Sequence, residues 1–244
     1  MKNFLRKIKE RAKKNPKKIA FPDFADSRVK RAIKIIEKEG IAIPVFPKID
    51  PKKPENRYTC ATMMLKAGEV DGVICGPLGT SRQRILPAIK IIRSKKKFHR
   101  VSGFFFMILP KTVGRDAANG GVLLFADCAV NIEPSARELA DIAIDSAETA
   151  QRFGLKPKIA MLSFSTAGSS QDAHAKKMRD AAKIAKRKKP DLQIEGEMQV
   201  DAALIDSVGA RKNPDSKIAG RANVLIFPNL EAGNIGYKLV ERLA

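Results

Sequence analysis

Residues 195–244 read EGEMQVDAALIDSVGARKNPDSKIAGRANVLIFPNLEAGNIGYKLVERLA, and this stretch decides the fold. It predicts an alternating strand at 196–201 that leads into a helix, then a buried apolar strand at 223–228. A turn at 229–236 and a closing helix from Tyr237 are expected to follow. Strand, turn and helix in this order are typical of an α/β protein with a mainly parallel sheet. Backbone amides are expected to be free at the start of the closing helix, which is surrounded by Asn229, Glu231, Gly233, Asn234 and Gly236.

The same design precedes this stretch. Residues 158–165, KIAMLSFS, predict a strand that runs into the small residues at 166–170 and then into a helix at 172–189. In doubly wound folds ligands bind beyond the carboxyl ends of the strands, and hydroxyl groups at a helix start can hold a phosphate. Capping of that helix by Ser169 or Ser170 is the structural alternative. The candidate ligand-binding residues of this turn are Ser165, Thr166, Gly168 and Ser169.

Near the amino terminus, KIAFPD at 18–23 predicts a strand, and a helix is predicted at 27–39 because apolar residues recur at helical spacing up to Gly40. Residues 41–46, IAIPVF, predict the next strand. The following stretch at 47–60 is polar and rich in proline, so we expect a linker there.

A second unit of this region combines the strand VDGVICG at 70–76, the turn PLGTSR at 77–82 and a helix at 83–94. Small and hydroxyl residues at the helix start predict an anion site, although such a turn is weakly specific by itself. These residues are Gly76, Gly79, Thr80 and Ser81.

The middle of the chain begins with VSGFFFMILP at 101–110, an apolar run that predicts a buried strand. A glycine-rich, hairpin-like stretch at 113–121 and the strand VLLFADCAV at 122–130 follow. Ser135 and Glu138 have the spacing of a capping box, so a helix is expected to begin there. Its core stripe is predicted to contain Leu139, Ile142, Ala143, Ala147, Ala150 and Phe153.

Several single polar residues leave two interpretations open. Asp127 and Asn131 follow a predicted strand, which suits either a functional role or ordinary loop polarity. Glu197 and Asp201 could act as an acid and base pair, but without a partner that raises one pKa we expect a structural or substrate-orienting role. His174 lacks the acid and hydroxyl spacing of a catalytic base and is expected at the surface.

Composition narrows the function classes. With 47 Lys and Arg against 26 Asp and Glu, the formal charge is +21, which suits a phosphorylated or polyanionic ligand or a lysine-rich solvated surface. Only 6% of the residues are aromatic, so binding of nucleic acid by stacking is not favoured. Cys60, Cys75 and Cys128 have no metal-binding spacing, and neither a signal peptide nor a membrane span is predicted. We therefore expect a cytoplasmic protein without a metal.

Four ordered segments identify a family resemblance. They resemble phosphate acetyltransferases, which exchange an acetyl group between coenzyme A and inorganic phosphate. The resemblance implies two αβα sandwich domains with mainly parallel sheets, isocitrate/isopropylmalate dehydrogenase-like, at 1–97 and 98–244, and a homodimer. It also implies coenzyme A as a substrate instead of a tightly bound cofactor. The segments are MMLKAGEVDGVICG at 63–76, FADCAVNIEPSARELADIAIDSAETA at 125–150, KIAMLSFSTAGSS at 158–170 and the stretch at 195–244.

The sequence also departs from the family pattern, chiefly in the first domain. At 47–60 the related enzymes have a longer stretch, which implies an internal deletion and an incomplete first domain. Gly79 and Leu86 replace a family histidine and arginine, with Arg82 and Arg84 as possible substitutes or ordinary surface residues. The family's Ser-Arg pair and Asp have no counterpart before Ala244, so the catalytic residues are unknown.

The reaction implied by the resemblance is direct attack of the coenzyme A thiolate on acetyl phosphate, or the reverse, with electrostatic stabilisation. The alternative is a non-catalytic or fragmentary relative that binds a phosphorylated ligand or completes another chain. The candidate substrate-binding residues are Thr80, Ser81, Arg82, Arg84, Ser165, Thr166, Gly168, Ser169, Gly233 and Asn234.

Overall fold

A computed structural model of the chain describes residues 2–50, 52–53, 56–93, 101–109 and 121–243. The chain divides into an N-terminal unit, residues 2–95, and a C-terminal unit, residues 96–244. Within the described ranges, no helix is long and apolar enough to cross a membrane.

The N-terminal unit is built on a three-stranded parallel sheet in the order β2-β1-β3. A π-helical segment at Ala88–Ile92 follows its last α-helix. The elements are α1 (Lys2–Lys14), β1 (Lys17–Ala20), α2 (Ser27–Glu39), β2 (Ala42–Val45), α3 (Arg57–Ala67), β3 (Gly72–Val73) and α4 (Ser81–Pro87).

Helix α2 has the predicted bounds because both of its ends carry local signals. The Asp26 side chain accepts from the backbone N–H of Arg28, and Gly40 ends the helix in the left-handed conformation at φ 64°. Val29 and Ile33 pack with Phe21 in a small core. The predicted linker at 47–60 is partly wrong, since α3 already begins at Arg57.

The C-terminal unit has a five-stranded sheet in the order β4-β5-β8-β6-β7, in which only the β4 and β5 pair is antiparallel. Its strands are β4 (Phe104–Ile108), β5 (Val122–Ala126), β6 (Ile159–Leu162), β7 (Ile194–Met198) and β8 (Val224–Ile226). Its helices are α5 (Ala136–Arg152), α6 (Ala173–Lys188), α7 (Val200–Leu204), α8 (Asp206–Lys212) and α9 (Leu230–Leu243).

This sheet is covered on both faces, which makes an αβα sandwich. Leu123, Phe125 and Leu225 share a core with α7 and α9. Successive strand residues point to opposite faces, so Leu124 and Ile226, also buried, face the other way, where α5 and α6 pack. Strands buried on both faces explain the apolar runs that predicted them.

Strand β4 is less buried than predicted. It lies at the edge of the described sheet, where β5 is its one partner among the residues that the structure describes. Phe104 is 40% exposed and Phe105 is 38% exposed, because an edge strand lacks a neighbour on one side. The predicted hairpin-like stretch lies outside the described residues, apart from Gly121.

The start of α9 also differs from the prediction. The helix begins at Leu230, so Gly233 and Asn234 lie inside it and not in a turn. The Asn229 side chain accepts from the backbone N–H of Ala232 at 2.9 Å, and the N–H of Gly233 donates to the Asn229 carbonyl. The amide of Gly233 is therefore part of the helix.

Candidate functional site

The carboxyl ends of the parallel strands in the C-terminal unit gather the predicted residues. Strands β5, β8 and β6 run in the same direction side by side, so the loops that follow them leave the sheet at one edge. In α/β proteins this edge is where ligands bind. The longest run of hydroxyl and small side chains there is residues 163–170, SFSTAGSS, which we call the serine loop.

The serine loop is organised around the carboxylate of Glu197. The Ser165 hydroxyl donates to Glu197 Oε1 at 2.7 Å, and the Gly168 N–H donates to the same oxygen at 3.0 Å. Gly168 has φ 82° and Ala167 has φ 50°, which turns the backbone toward the carboxylate. Ser165 also accepts from the N–H of Ser170 and shares a hydrogen bond with Ser169. The structure therefore brings the four predicted residues of this loop together.

All six backbone amides from 165 to 170 already have acceptors inside the protein. They donate to side chains or carbonyls of the loop itself and of Glu197. The structural alternative, capping of the next helix by Ser169 or Ser170, is not what the structure shows, since Asp172 caps α6 by accepting from the N–H of His174. The exposed residues of the loop are Phe164, with 60% of its surface in solvent, Ala167 and Ser169.

Glu197 is one of the most buried charged groups in the unit, with 1% of its surface exposed. Arg179 from α6 pairs with Glu197 Oε1 at 2.7 Å and donates to the Ser170 carbonyl at 2.9 Å. Among the described residues, Glu197 Oε2 has no hydrogen-bond partner. This ion pair was not predicted, since nothing in the sequence links residues 18 positions apart.

Asp201 does not pair with Glu197. It contacts Lys212 at 2.9 Å, and this hydrogen bond lowers the pKa of Asp201. Lys212 also donates to the Gln199 side chain, whose oxygen lies 3.3 Å from the Thr166 hydroxyl. The two carboxylates thus have different cationic partners, which fits the expected structural role better than an acid and base pair.

Asp127 holds the loop that follows β5. Its carboxylate, buried with 3% exposure, accepts from the amides of Gly103, Ala129, Val130 and Asn131. The Asn131 side chain donates to it as well. Loop stabilisation explains both residues, which the sequence had left open.

Lys177 joins loops that the sequence could not connect. It projects from α6, pairs with Glu133 and donates to the carbonyl of Pro228 at 3.1 Å. The hydrogen bond from Lys177 lowers the pKa of Glu133. Glu133 follows β5 and Pro228 follows β8, so Lys177 connects the loops after both strands to α6, the helix that follows β6.

In the N-terminal unit, a buried carboxylate again organises the loops. Asp23 accepts from Arg57 Nε at 2.7 Å, from the Tyr58 hydroxyl at 3.1 Å and from the Gly76 N–H at 2.8 Å. The predicted free amide of Gly76 is therefore occupied. This cluster was not predicted from the sequence. Asp23 lies at the end of a predicted strand, and Arg57 and Tyr58 lie in the predicted linker.

The predicted residues near α4 also lie together. Thr80 caps α4 in a capping box with Gln83. Arg84 donates to the carbonyls of Leu78 and Gly79, so it stabilises the turn before the helix. Ser81 and Arg82 are exposed, and Arg82 makes no hydrogen bond or ion pair with the described residues.

No described group of three or more His, Cys, Asp or Glu side chains could hold a metal ion. The His174 side chain is 75% exposed and contacts only Asp172 as an ionic partner within the described chain.

Comparison with known proteins decides the family. The profile described as Phosphate acetyl/butaryl transferase matches residues 47–244. The chain belongs to this family. The phosphate acetyltransferase of Thermoanaerobacterium thermosaccharolyticum is 40% identical over 290 aligned positions, which cover 99% of this chain and 88% of that protein. The enzyme of Clostridium acetobutylicum is 51% identical over 185 residues, 75% of this chain and 55% of that protein.

Solved structures agree with this family assignment. A phosphotransacetylase from Streptococcus pyogenes superposes with a TM-score of 0.87 at 32% identity, covering 100% of this chain and 86% of that one. A EutD phosphotransacetylase from Staphylococcus aureus gives a TM-score of 0.83 at 31% identity, covering 99% and 86%. The predicted resemblance, the predicted fold and the prediction of a phosphate acetyltransferase by homology are confirmed. The 290 aligned positions exceed the 244 residues of the chain, so the relative contains insertions that this phosphotransacetylase homologue lacks.

Proposed function

We propose that this chain transfers an acetyl group between coenzyme A and inorganic phosphate. The observation that carries the proposal is the family match over 47–244, together with a relative called phosphate acetyltransferase that aligns with 99% of the chain. The coenzyme A thiolate attacks the carbonyl carbon of acetyl phosphate, the new C–S bond forms, and the C–O bond to phosphate breaks. Phosphate leaves with the electron pair of that bond, and the reverse reaction makes acetyl phosphate.

The proposed substrate region in the C-terminal unit is the edge formed by the serine loop and its neighbours. Ser165, Thr166, Gly168 and Ser169 lie in one short loop there, and Phe164 offers an exposed ring beside them. We assign the contacts with the phosphorylated substrate to the outer face of this loop, because the amides face inward. Gly233 and Asn234 lie inside α9, where Gly233 is buried, and are weaker candidates for direct contact.

In the N-terminal unit, Arg82 is the better candidate for a substrate-binding cation. The hydrogen bonds of Arg84 go to backbone carbonyls of its own turn, whereas Arg82 is exposed and keeps its donors for a ligand. A guanidinium binds phosphate through two parallel hydrogen bonds, which suits either substrate. The formal charge of +21 also favours the approach of anionic substrates.

The test is phosphate-dependent release of free thiol from acetyl-CoA by the purified chain. Arg82→Gln is expected to raise KM for the phosphate-bearing substrate by about tenfold, the loss of one charge-assisted contact. Arg31→Gln, an exposed arginine on α2, serves as the matched control and is expected to behave like the native chain. Thiol release that does not depend on phosphate would refute acetyl transfer.

A second candidate function is binding without turnover, as a subunit that recognises a phosphorylated ligand or completes another chain. The observation that favours it is that Gly79 and Leu86 stand where the family resemblance implies a histidine and an arginine, so a cation expected to hold the phosphate is missing. Calorimetric titration with coenzyme A separates the two. Binding without thiol release supports the second function.

We further propose a cytoplasmic homodimer or a complex with a completing chain. The exposed edge strand β4, with Phe104 and Phe105 partly in solvent, supports association, because an open apolar edge can pair with another chain. Sedimentation of the purified chain tests this, and a monomer at micromolar concentration would refute the homodimer.

A further inference from the structure

We propose that Glu197 is a positioning residue that fixes the serine loop for substrate binding, with Arg179 as its partner. This inference rests on the proposed function. Glu197 does not touch solvent appreciably and lies behind the loop, so it acts through the loop and not on the substrate.

Three donors from two separate segments converge on a single oxygen, Glu197 Oε1. The hydroxyl of Ser165 and the N–H of Gly168 come from the serine loop, and the guanidinium of Arg179 comes from α6. Hydrogen bonds to an ionised acceptor are about twice as strong as neutral ones. The charge of Glu197 therefore links the loop to the helix that follows it.

Arg179 contacts both Glu197 and the end of the serine loop. Its side chain is 17% exposed and its Nη1 also donates to the Ser170 carbonyl at 2.9 Å. The loop is thus held at its first hydroxyl, at its glycine and near its end. The exposed groups Phe164 and Ser169 are carried by this framework, so their placement depends on it.

The second carboxylate oxygen, Glu197 Oε2, is stabilised neither by solvent nor by a hydrogen bond from any described residue. Glu197 Oε2 is buried and lacks a hydrogen-bond partner within the described part of the chain. A buried polar atom without a partner is unfavourable. The hydrogen bonds of the Glu197 side chain to the loop are therefore all made by Oε1 in the described structure.

Glu197→Gln is the sharpest perturbation. Glutamine has the same shape and keeps an acceptor oxygen for Ser165 and Gly168, but it loses the charge that strengthens their hydrogen bonds and pairs with Arg179. We expect KM for the phosphate-bearing substrate to rise by about tenfold, while kcat changes by less than about twofold, because binding and not the chemical step depends on the loop.

The matched control is Glu195→Gln, the same change on the same strand. Glu195 accepts from Ser216 and from the N–H of Lys217 and makes no hydrogen bond to the serine loop in the described structure. It is expected to keep the native KM. If Glu197→Gln does not fold, Arg179→Lys is the second variant, and it should also raise KM for the phosphate-bearing substrate.

The experiment combines KM and kcat with amide hydrogen exchange at Gly168, which reports loop order independently of activity. Faster exchange at Gly168 together with a raised KM supports the inference. An unchanged KM, or a fall in kcat alone, overturns it, as does faster exchange without any effect on KM. If the native chain neither turns over nor binds coenzyme A, the proposed function fails first and the inference falls with it.

Discussion

Replacing Gly233 by alanine tests how tightly α9 packs against the loop after β5. In an exposed helix this change is stabilising by about 0.5–1 kcal/mol, because glycine loses more backbone entropy on folding than alanine. Here the residue is buried, and an alanine Cβ would lie 2.3 Å from the carbonyl oxygen of Asp127. Ordinary contacts between carbon and oxygen are about 3.3 Å or longer, so one backbone must move by about 1 Å.

That movement is resisted because the Asp127 carboxylate holds its own loop through four backbone amides. Overpacking of this kind typically costs about 1–3 kcal/mol, and movement of a restrained backbone belongs at the upper end. After subtraction of the helix gain, we expect a net destabilisation of about 2 kcal/mol. For a chain of this size that corresponds to a fall in Tm of about 4–8 °C.

Thermal unfolding followed by circular dichroism measures the effect, and Gly236→Ala is the control in the same helix. Its Cβ would meet the ring of Phe227 at 3.0 Å, and a side chain can yield where a backbone cannot. We therefore expect a change below about 2 °C for the control. A Gly233→Ala variant as stable as the native chain would refute the close approach of α9 to Asp127.

Three further predictions concern single side chains. At pH 7, Asp23→Asn should lower the unfolding free energy by about 3–5 kcal/mol, because it leaves Arg57 in a buried pair without its countercharge. Asp215→Asn, the same change at an exposed position, should change it by less than about 0.5 kcal/mol, and urea titration compares the two variants. The hydrogen bond with Arg28 lowers the pKa of Asp26 from 3.8 to about 2, so the stabilisation of the fold by the Asp26 carboxylate is complete above about pH 4 and is lost toward pH 2. A dependence of Tm on pH that is equally steep in the native chain and in Asp26→Asn would contradict this. Burial raises the pKa of Cys128 to about 12, so this thiol should not react with a thiol reagent at pH 8 until denaturant is added. Labelling of the folded native chain that is absent in Cys128→Ser would contradict this prediction.

Local sequence signals were sufficient for much of the fold. Helix α2 was predicted correctly because the apolar spacing and the terminating Gly40 lie within one short stretch of sequence. The capping box of Ser135 and Glu138 was likewise correct, since its two partners are three residues apart. Such features depend on neighbouring residues, and a single sequence displays them.

The glycines of α9 show where a local interpretation fails. Glycine near a helix start usually indicates a turn, which placed Gly233 before the helix. In the structure Gly233 is needed because another backbone, that of Asp127, passes close to it. The residue that requires the glycine lies more than a hundred positions away, so the sequence pattern could not distinguish the two reasons.

The candidate site was predicted in part for the same reason. The small residues of the serine loop were recognised from their place between a strand and a helix. Their partners were not, because Glu197 and Arg179 meet the loop only after β6, α6 and β7 have packed. The sequence therefore predicted the location of the loop but not the carboxylate that occupies its inner donors.

The most direct measurement follows acetyl-CoA formation and phosphate release together, after the purified chain is mixed with acetyl phosphate and coenzyme A. The proposed transfer predicts one phosphate released for each thioester formed, with both products forming faster than in a sample without protein. Phosphate released without thioester would contradict the proposal by showing hydrolysis. A folded chain that binds coenzyme A but forms no thioester would contradict it as well, and would favour the non-catalytic binding function.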